Sequence, residues 1–69
     1  MSRDRGHEDR ALIYTVKADG VESEPKRRAE AFAYATGRIG HRSVVCMLKH
    51  REGKNPVVVA LWRNGVREV

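Results

Sequence analysis

Two neighbouring segments of this chain are apolar on both of their alternating sets of positions. In residues 43–50, Val44, Cys46 and Leu48 alternate with Val45 and Met47; in residues 57–63, Val57, Val59 and Leu61 alternate with Val58, Ala60 and Trp62. Successive side chains of a strand point to opposite faces. A sheet with one wet face therefore shows apolar residues on one set only. Here both faces of a strand pair ask for cover, and the chain offers a single helical segment to supply it. An apolar face of that size is not left in water without a reason. The economical solution is a companion: a second copy of the chain, giving a homodimer, or a different protein. A loop or tail folding back is the intramolecular alternative. Val45, Met47, Val58 and Trp62 are the residues expected at such an interface, with Trp62 as an aromatic anchor.

The other elements follow from periodicity and turn chemistry. Residues 11–18 alternate Leu12, Tyr14 and Val16 with Ile13, Thr15 and Lys17, which predicts a first strand. Asp19-Gly20 is a tight-turn pair, and Val21-Glu22-Ser23 can pair back briefly. Ser23 is a favourable N-cap, with Glu24 and Pro25 suited to a first helical turn. A helix is expected from about Glu24 to Gly37 or Ile39, rich in alanine, with Phe32, Ala35, Thr36 and Ile39 on one face. Residues 43–50 and 57–63 are the next strands, separated by a polar turn over 51–56. Asn64-Gly65 is a strong hairpin signal that returns Val66 to Val69 as a short final strand. The expected fold is α+β: strand-helix-strand-strand, a mainly antiparallel sheet with one helix packed on one face. Residues 1–10, dense in charge, read as a flexible tail, and residues 11–69 as one domain.

Sixty-nine residues form one domain at most, near the lower limit for folding unaided. Disulfides and metals, the usual reinforcements of small domains, are not offered here. Cys46 is the one cysteine, and it lies in an apolar run that suits a small buried hydrophobe rather than a reactive thiol. His7, His41, His50 and Cys46 lack the close spacing of a metal site. No stretch is long and apolar enough to span a bilayer. The charged N-terminus lacks the apolar region of a signal peptide. A cytoplasmic location is the expectation, since no cysteine pair is present.

Charge is distributed unevenly. Residues 1–37 hold seven Lys/Arg and seven Asp/Glu, whereas residues 38–69 hold seven Lys/Arg against Glu52 and Glu68 alone. The formal net charge of +5 thus arises entirely in the C-terminal half. Ten of the fourteen cations are arginine, the side chain suited to bidentate contacts with phosphate and carboxylate. Lys26-Arg27-Arg28 would oppose the dipole of the helix start and reads as a solvated helix end. In the segment 37–42, Arg38, His41 and Arg42 accompany Gly37 and Gly40, glycines that could expose backbone amides to an anion. Lys49, His50, Arg51 and Lys54 crowd the tip of the second hairpin, and Arg63 and Arg67 flank the Asn64-Gly65 turn. Arg38, Arg42, Lys49, Arg51, Lys54, Arg63 and Arg67 are therefore the expected contacts to a nucleic acid or to an acidic protein surface.

Catalysis finds little support. His50 near Glu52, or His41 near Ser43, can be drawn as acid–base pairs of a small ribonuclease, but neither has an orienting third group. No glycine-rich nucleotide loop, metal-binding carboxylate pair or cofactor motif is present. No enzyme, metal, small-molecule cofactor or membrane partner is expected. The expected function is a non-enzymatic, basic nucleic-acid-binding protein that contacts phosphates through its C-terminal half. The alternative is a small regulator or inhibitor that docks on an acidic surface of a larger cytoplasmic protein. Single-strand binders interleave several aromatics with basic residues on a sheet face, and Trp62 is the lone aromatic of the basic half.

Overall fold

The computed structural model describes residues 10–69. The nine residues before them, most of the expected tail, lie outside the described residues. The chain runs β1 (Tyr14–Ala18), β2 (Val21–Glu22), α1 (Arg28–Thr36), β3 (Val44–Arg51), β4 (Lys54–Arg63) and β5 (Val66–Arg67). The strands form a single open antiparallel sheet in the order β2-β1-β3-β4-β5. This is the expected α+β arrangement, widened by a two-residue strand at each edge.

Turn chemistry sets the hairpins. Asp19 and Gly20 lie at φ 51° and 86°, and Asn64 and Gly65 at φ 53° and 86°. Positive φ at both central residues is the turn whose twist matches the strands it joins. The β3–β4 connection is shorter than the polar stretch 51–56 suggested. Arg51 pairs with Lys54, leaving Glu52 and Gly53 as the turn, with Gly53 at φ 71°. β4 therefore includes Asn55 and Pro56. Proline is tolerated because the pairing is irregular between Lys49 and Arg51, so its missing N–H leaves no ladder bond unmade.

The helix starts later than the N-cap signal at Ser23 implied. Residues 23–26 stay extended and continue along the edge of β1: Ser23 N donates to Val16 O (2.7 Å), Lys26 N to Tyr14 O (2.7 Å) and Tyr14 N to Lys26 O (3.0 Å). Proline at position 25 disfavours helical geometry at Glu24, which helps keep the segment straight. The Ser23 hydroxyl accepts from Val16 N and donates to Glu24 O instead of capping a helix. Arg27 becomes the N-cap, and the Glu30 carboxylate accepts its backbone N–H at 3.2 Å. The first strand likewise begins at Tyr14 rather than position 11.

α1 lies on β1 and β3 through Ala31 and Ala35, both fully buried. The expected face of Phe32, Ala35, Thr36 and Ile39 is thus rotated. Thr36 is exposed and donates its hydroxyl to Ala33 O, while Phe32 leans over the helix edge with its ring 5.9 Å from that of Trp62. Alanine is favoured under the helix because a small side chain lets the backbone approach the sheet. The core beneath comprises Tyr14, Val16, Val45, Met47, Ala60 and Trp62. By register, Val16, Met47 and Ala60 form one cross-strand row, and Ala18, Val45 and Trp62 another.

The opposite face carries no element of the described residues. Its rows are Lys17, Cys46 and Leu61, then Thr15, Leu48 and Val58, with Val44 opposite Arg63. Directly opposed residues share a face. A register shift between Met47 and Leu48 pairs Met47 with Ala60 but Leu48 with Val58, so Val59 is the extra residue of a bulge. Val58 is thereby turned to the open face, while Val59 packs against the core. Val44 and Val58 are each 42% exposed.

Close packing at Ala31 can be checked directly. Ala31→Leu forces bulk between helix and sheet and should destabilise the fold by about 1–3 kcal/mol. Ala33→Leu, on the exposed side of the same helix, should change stability by less than about 0.5 kcal/mol in urea denaturation.

Candidate functional site

The basic residues expected to act together fall at two ends of the sheet. β3 and β4 are antiparallel, so Arg51 and Lys54 mark one end while Val44 and Arg63 mark the other. Lys54 and Arg63 are the first and last of the ten residues of β4, roughly 30 Å apart at the rise of an extended strand. Arg51 and Lys54 are exposed at the first end; Lys49 is half-buried, one turn of the pleat inward, in the row of Tyr14 and Val57.

At the second end, two stretches that are far apart in sequence meet. Asn64 N donates to Ser43 O (2.9 Å), and a side chain added at Gly65 would come 3.9 Å from Gly40 O. The segment 38–42 and the Asn64-Gly65 hairpin are thus neighbours, which brings Arg38, His41 and Arg42 to the same end as Arg63 and Arg67. Arg38 lies over the Tyr34 ring at 4.7 Å and Arg67 over the Trp62 ring at 5.5 Å. Arg63 Nε is 3.3 Å from the Glu68 carboxylate, and Arg67 Nε donates to Val69 O. Arg42 is exposed and has no ion pair among the described residues. Asp19 reaches this end too, but its carboxylate accepts the Val44 N–H at 3.0 Å.

The backbone here is not a cradle for an anion. Gly37 N donates to Ala33 O, Arg38 N to Ala35 O, and Gly40 N to the Ser43 hydroxyl at 2.7 Å. Those amides are engaged in closing the helix C-terminus and the turn that follows it. The carbonyl end of a helix also favours cations over anions.

Of the residues expected at an interface, Val45, Met47 and Trp62 are buried beneath α1, at 0%, 3% and 6% exposure. That expectation is corrected: they form the core of the single chain, because the helix covers their set of positions and not the other. Val58 alone belongs to the open face, where the bulge turns it. Beside it Val44 is exposed and Cys46, Leu48 and Leu61 are half-buried. Tyr14 is also under the helix, and Phe32 and Tyr34 lie on it, so all four aromatics are on the helix side.

A polar constellation on the open face was not visible in the sequence. The Thr15 hydroxyl donates to Glu22 Oε2 (2.8 Å) and lies 2.7 Å from His50 Nε2, which is itself 3.4 Å from Glu22 Oε2. With its proton directed to Glu22, Thr15 accepts from an Nε2–H of His50. Three strands contribute one residue each, at positions 7 and 28 residues apart, and only the register brings them together. His50 therefore meets Thr15 and Glu22, not Glu52. Both partners engage the same imidazole nitrogen, whereas a nucleophile–base–orienter relay uses the two nitrogens separately. Thr15 is also 5% exposed, poorly placed for attack on a substrate. The arrangement ties β1, β2 and β3 together. Among the described residues there is neither a metal-binding cluster nor a helix long and apolar enough to cross a membrane.

Thr15→Val keeps the shape and removes both hydrogen bonds. Water can replace them at the half-exposed His50 and Glu22, so the expected loss is about 1 kcal/mol in chemical denaturation; an unchanged midpoint would show that the network does not stabilise the sheet. Comparison with known proteins returns no family model, no curated protein and no solved structure that matches this chain.

Proposed function

We propose that this chain is a small, non-enzymatic nucleic-acid-binding protein that holds phosphates with arginine side chains. The observation that carries the reading is the Asn64–Ser43 backbone hydrogen bond, which joins the segment 38–42 to the last hairpin and gathers Arg38, Arg42, Arg63 and Arg67 at one end of the sheet. Two carboxylates, Asp19 and Glu68, accompany these four guanidinium groups, so the end remains positive. Arg51 and Lys54, roughly 30 Å away, offer a second point of contact. The +5 net charge supports the reading through long-range attraction to a polyanion.

The same geometry favours phosphate contacts over base contacts. No aromatic side chain on the open face can stack a base. The amides of Gly37, Arg38 and Gly40 are already bonded, which leaves the arginine side chains as the main donors of the helix-end loop. Contacts reduce to guanidinium and ammonium groups on phosphate oxygens, which position a nucleic acid without reading its sequence. The protein on this reading acts in the cytoplasm, where a lone Cys46 remains a thiol.

Binding of a labelled duplex, followed by anisotropy across a salt series, tests the proposal. Neutralising about four phosphates gives a log–log slope of about −3.6, indifferent to sequence. In Arg38→Ala/Arg42→Ala the slope should flatten by about 1.8 units, at two phosphates lost. Absence of binding at about 50 mM salt, or an unchanged slope in the double variant, would contradict it.

A further inference from the structure

The open face of the sheet needs an occupant, and we infer that it is a second copy of this chain. Two protomers would place these faces together with their helices outward, as a four-layer homodimer. This inference does not depend on the phosphate-binding reading, since the arginine-bearing end and the open face are different surfaces.

The charge around the face favours a copy of itself. Its centre is apolar: Val44, Cys46, Leu48, Val58 and Leu61. At the β1–β2 edge, Lys17 pairs across strands with Glu22. At the β4–β5 edge, Arg63 is joined to Glu68, whose backbone N–H bonds to Leu61 O. Each edge thus carries one cation and one carboxylate. A two-fold axis lying in the plane between two such faces makes the same patch meet itself. With the axis parallel to the strands, the Lys17 and Glu22 edge of one copy lies over the Arg63 and Glu68 edge of the other, in the same cross-strand row, so each cation meets a carboxylate. A strongly acidic or basic partner would set like charges against half of this rim.

The middle of the face can also be dried without stranding Thr15. Thr15, the polar side chain nearest its middle, already has both a donor and an acceptor partner in His50 and Glu22.

β1, β3 and β4 run for 5, 8 and 10 residues and the edge strands for two each, so at about 3.3 Å by 4.8 Å per residue the flat projection is on the order of 430 Å² before corrugation is counted. A standard protein–protein interface buries about 800 Å² of accessible surface per partner. The eight-residue intramolecular core is small, with alanine at three of its positions, Ala31, Ala35 and Ala60. A domain of this length gains from association. The chain's own N-terminal segment is a poor substitute. Residues 1–9 contain one large apolar side chain, Met1, against five charged ones, Arg3, Asp4, Arg5, Glu8 and Asp9.

Molar mass by light scattering on the full chain, at about 100 µM and on dilution, is the test, because dimer content depends on protomer concentration. The wild type should approach twice the 7.8 kDa chain mass, 15.6 kDa, and fall on dilution. Leu61→Glu and Val58→Lys should each hold the protein at 7.8 kDa with an unchanged far-ultraviolet circular dichroism spectrum. Should either variant unfold, alkylation of Cys46 in the wild type decides: its rate should fall severalfold as concentration rises through the association range. A wild type that stays monomeric, a folded variant that still dimerises, or a Cys46 rate independent of concentration would each overturn the inference. A monomer that binds only a different protein counts as the first of these.

Discussion

Ala31 and Ala35, seated on Val16, Val45 and their neighbours, hold the helix to the sheet and so decide which side of it is dry. Two methyl groups at helical spacing allow α1 to lie close to the sheet, and that closeness seals Tyr14, Met47 and Trp62 from water. The helix has nine residues, about 13.5 Å of length at the standard rise. It can roof the middle of one face and nothing more. The division of the sheet into a dry face and an open face follows from that limit.

Much of this was legible in the residues. Asp19-Gly20 and Asn64-Gly65 announce tight hairpins because few other pairs accept positive φ at both positions. The apolar content of Val44–Leu48 and Val57–Trp62 signals a strand pair in need of cover on two sides. Less legible was which side the helix takes. Alternation says that Val45 and Met47 share a face, not whether that face is the covered one. The decision rests on the small size of Ala31 and Ala35, a property that a search for large apolar residues passes over in favour of Phe32. The bulge at Val59 adds a second difficulty, because it shifts the β4 alternation by one and sends Val58 to the side opposite the one its parity with Trp62 implies.

The helix start and the polar network have the same origin. Ser23-Glu24-Pro25 carries good N-terminal signals, yet the unpaired edge of β1 beside it offers backbone bonds that hold the segment extended to Lys26. Thr15, Glu22 and His50 are unremarkable in sequence and adjacent only through register. Long-range pairing outweighs local preference in both cases. The candidate phosphate contacts follow the pattern too: Arg38 and Arg63 lie 25 residues apart, and the Asn64–Ser43 hydrogen bond is what puts them on one end. Charge composition indicated a basic half without indicating that Arg51 and Lys54 stand at the far end of the sheet.

Whether α1 seals one face only can be read from methyl resonances in the presence of a soluble paramagnetic agent. In a sample dilute enough to be monomeric, the Val44, Leu48 and Val58 methyls should broaden strongly and those of Val16 and Val45 little. Equal protection of both sets would mean that some part of the chain covers the second face as well, and that the face is not open.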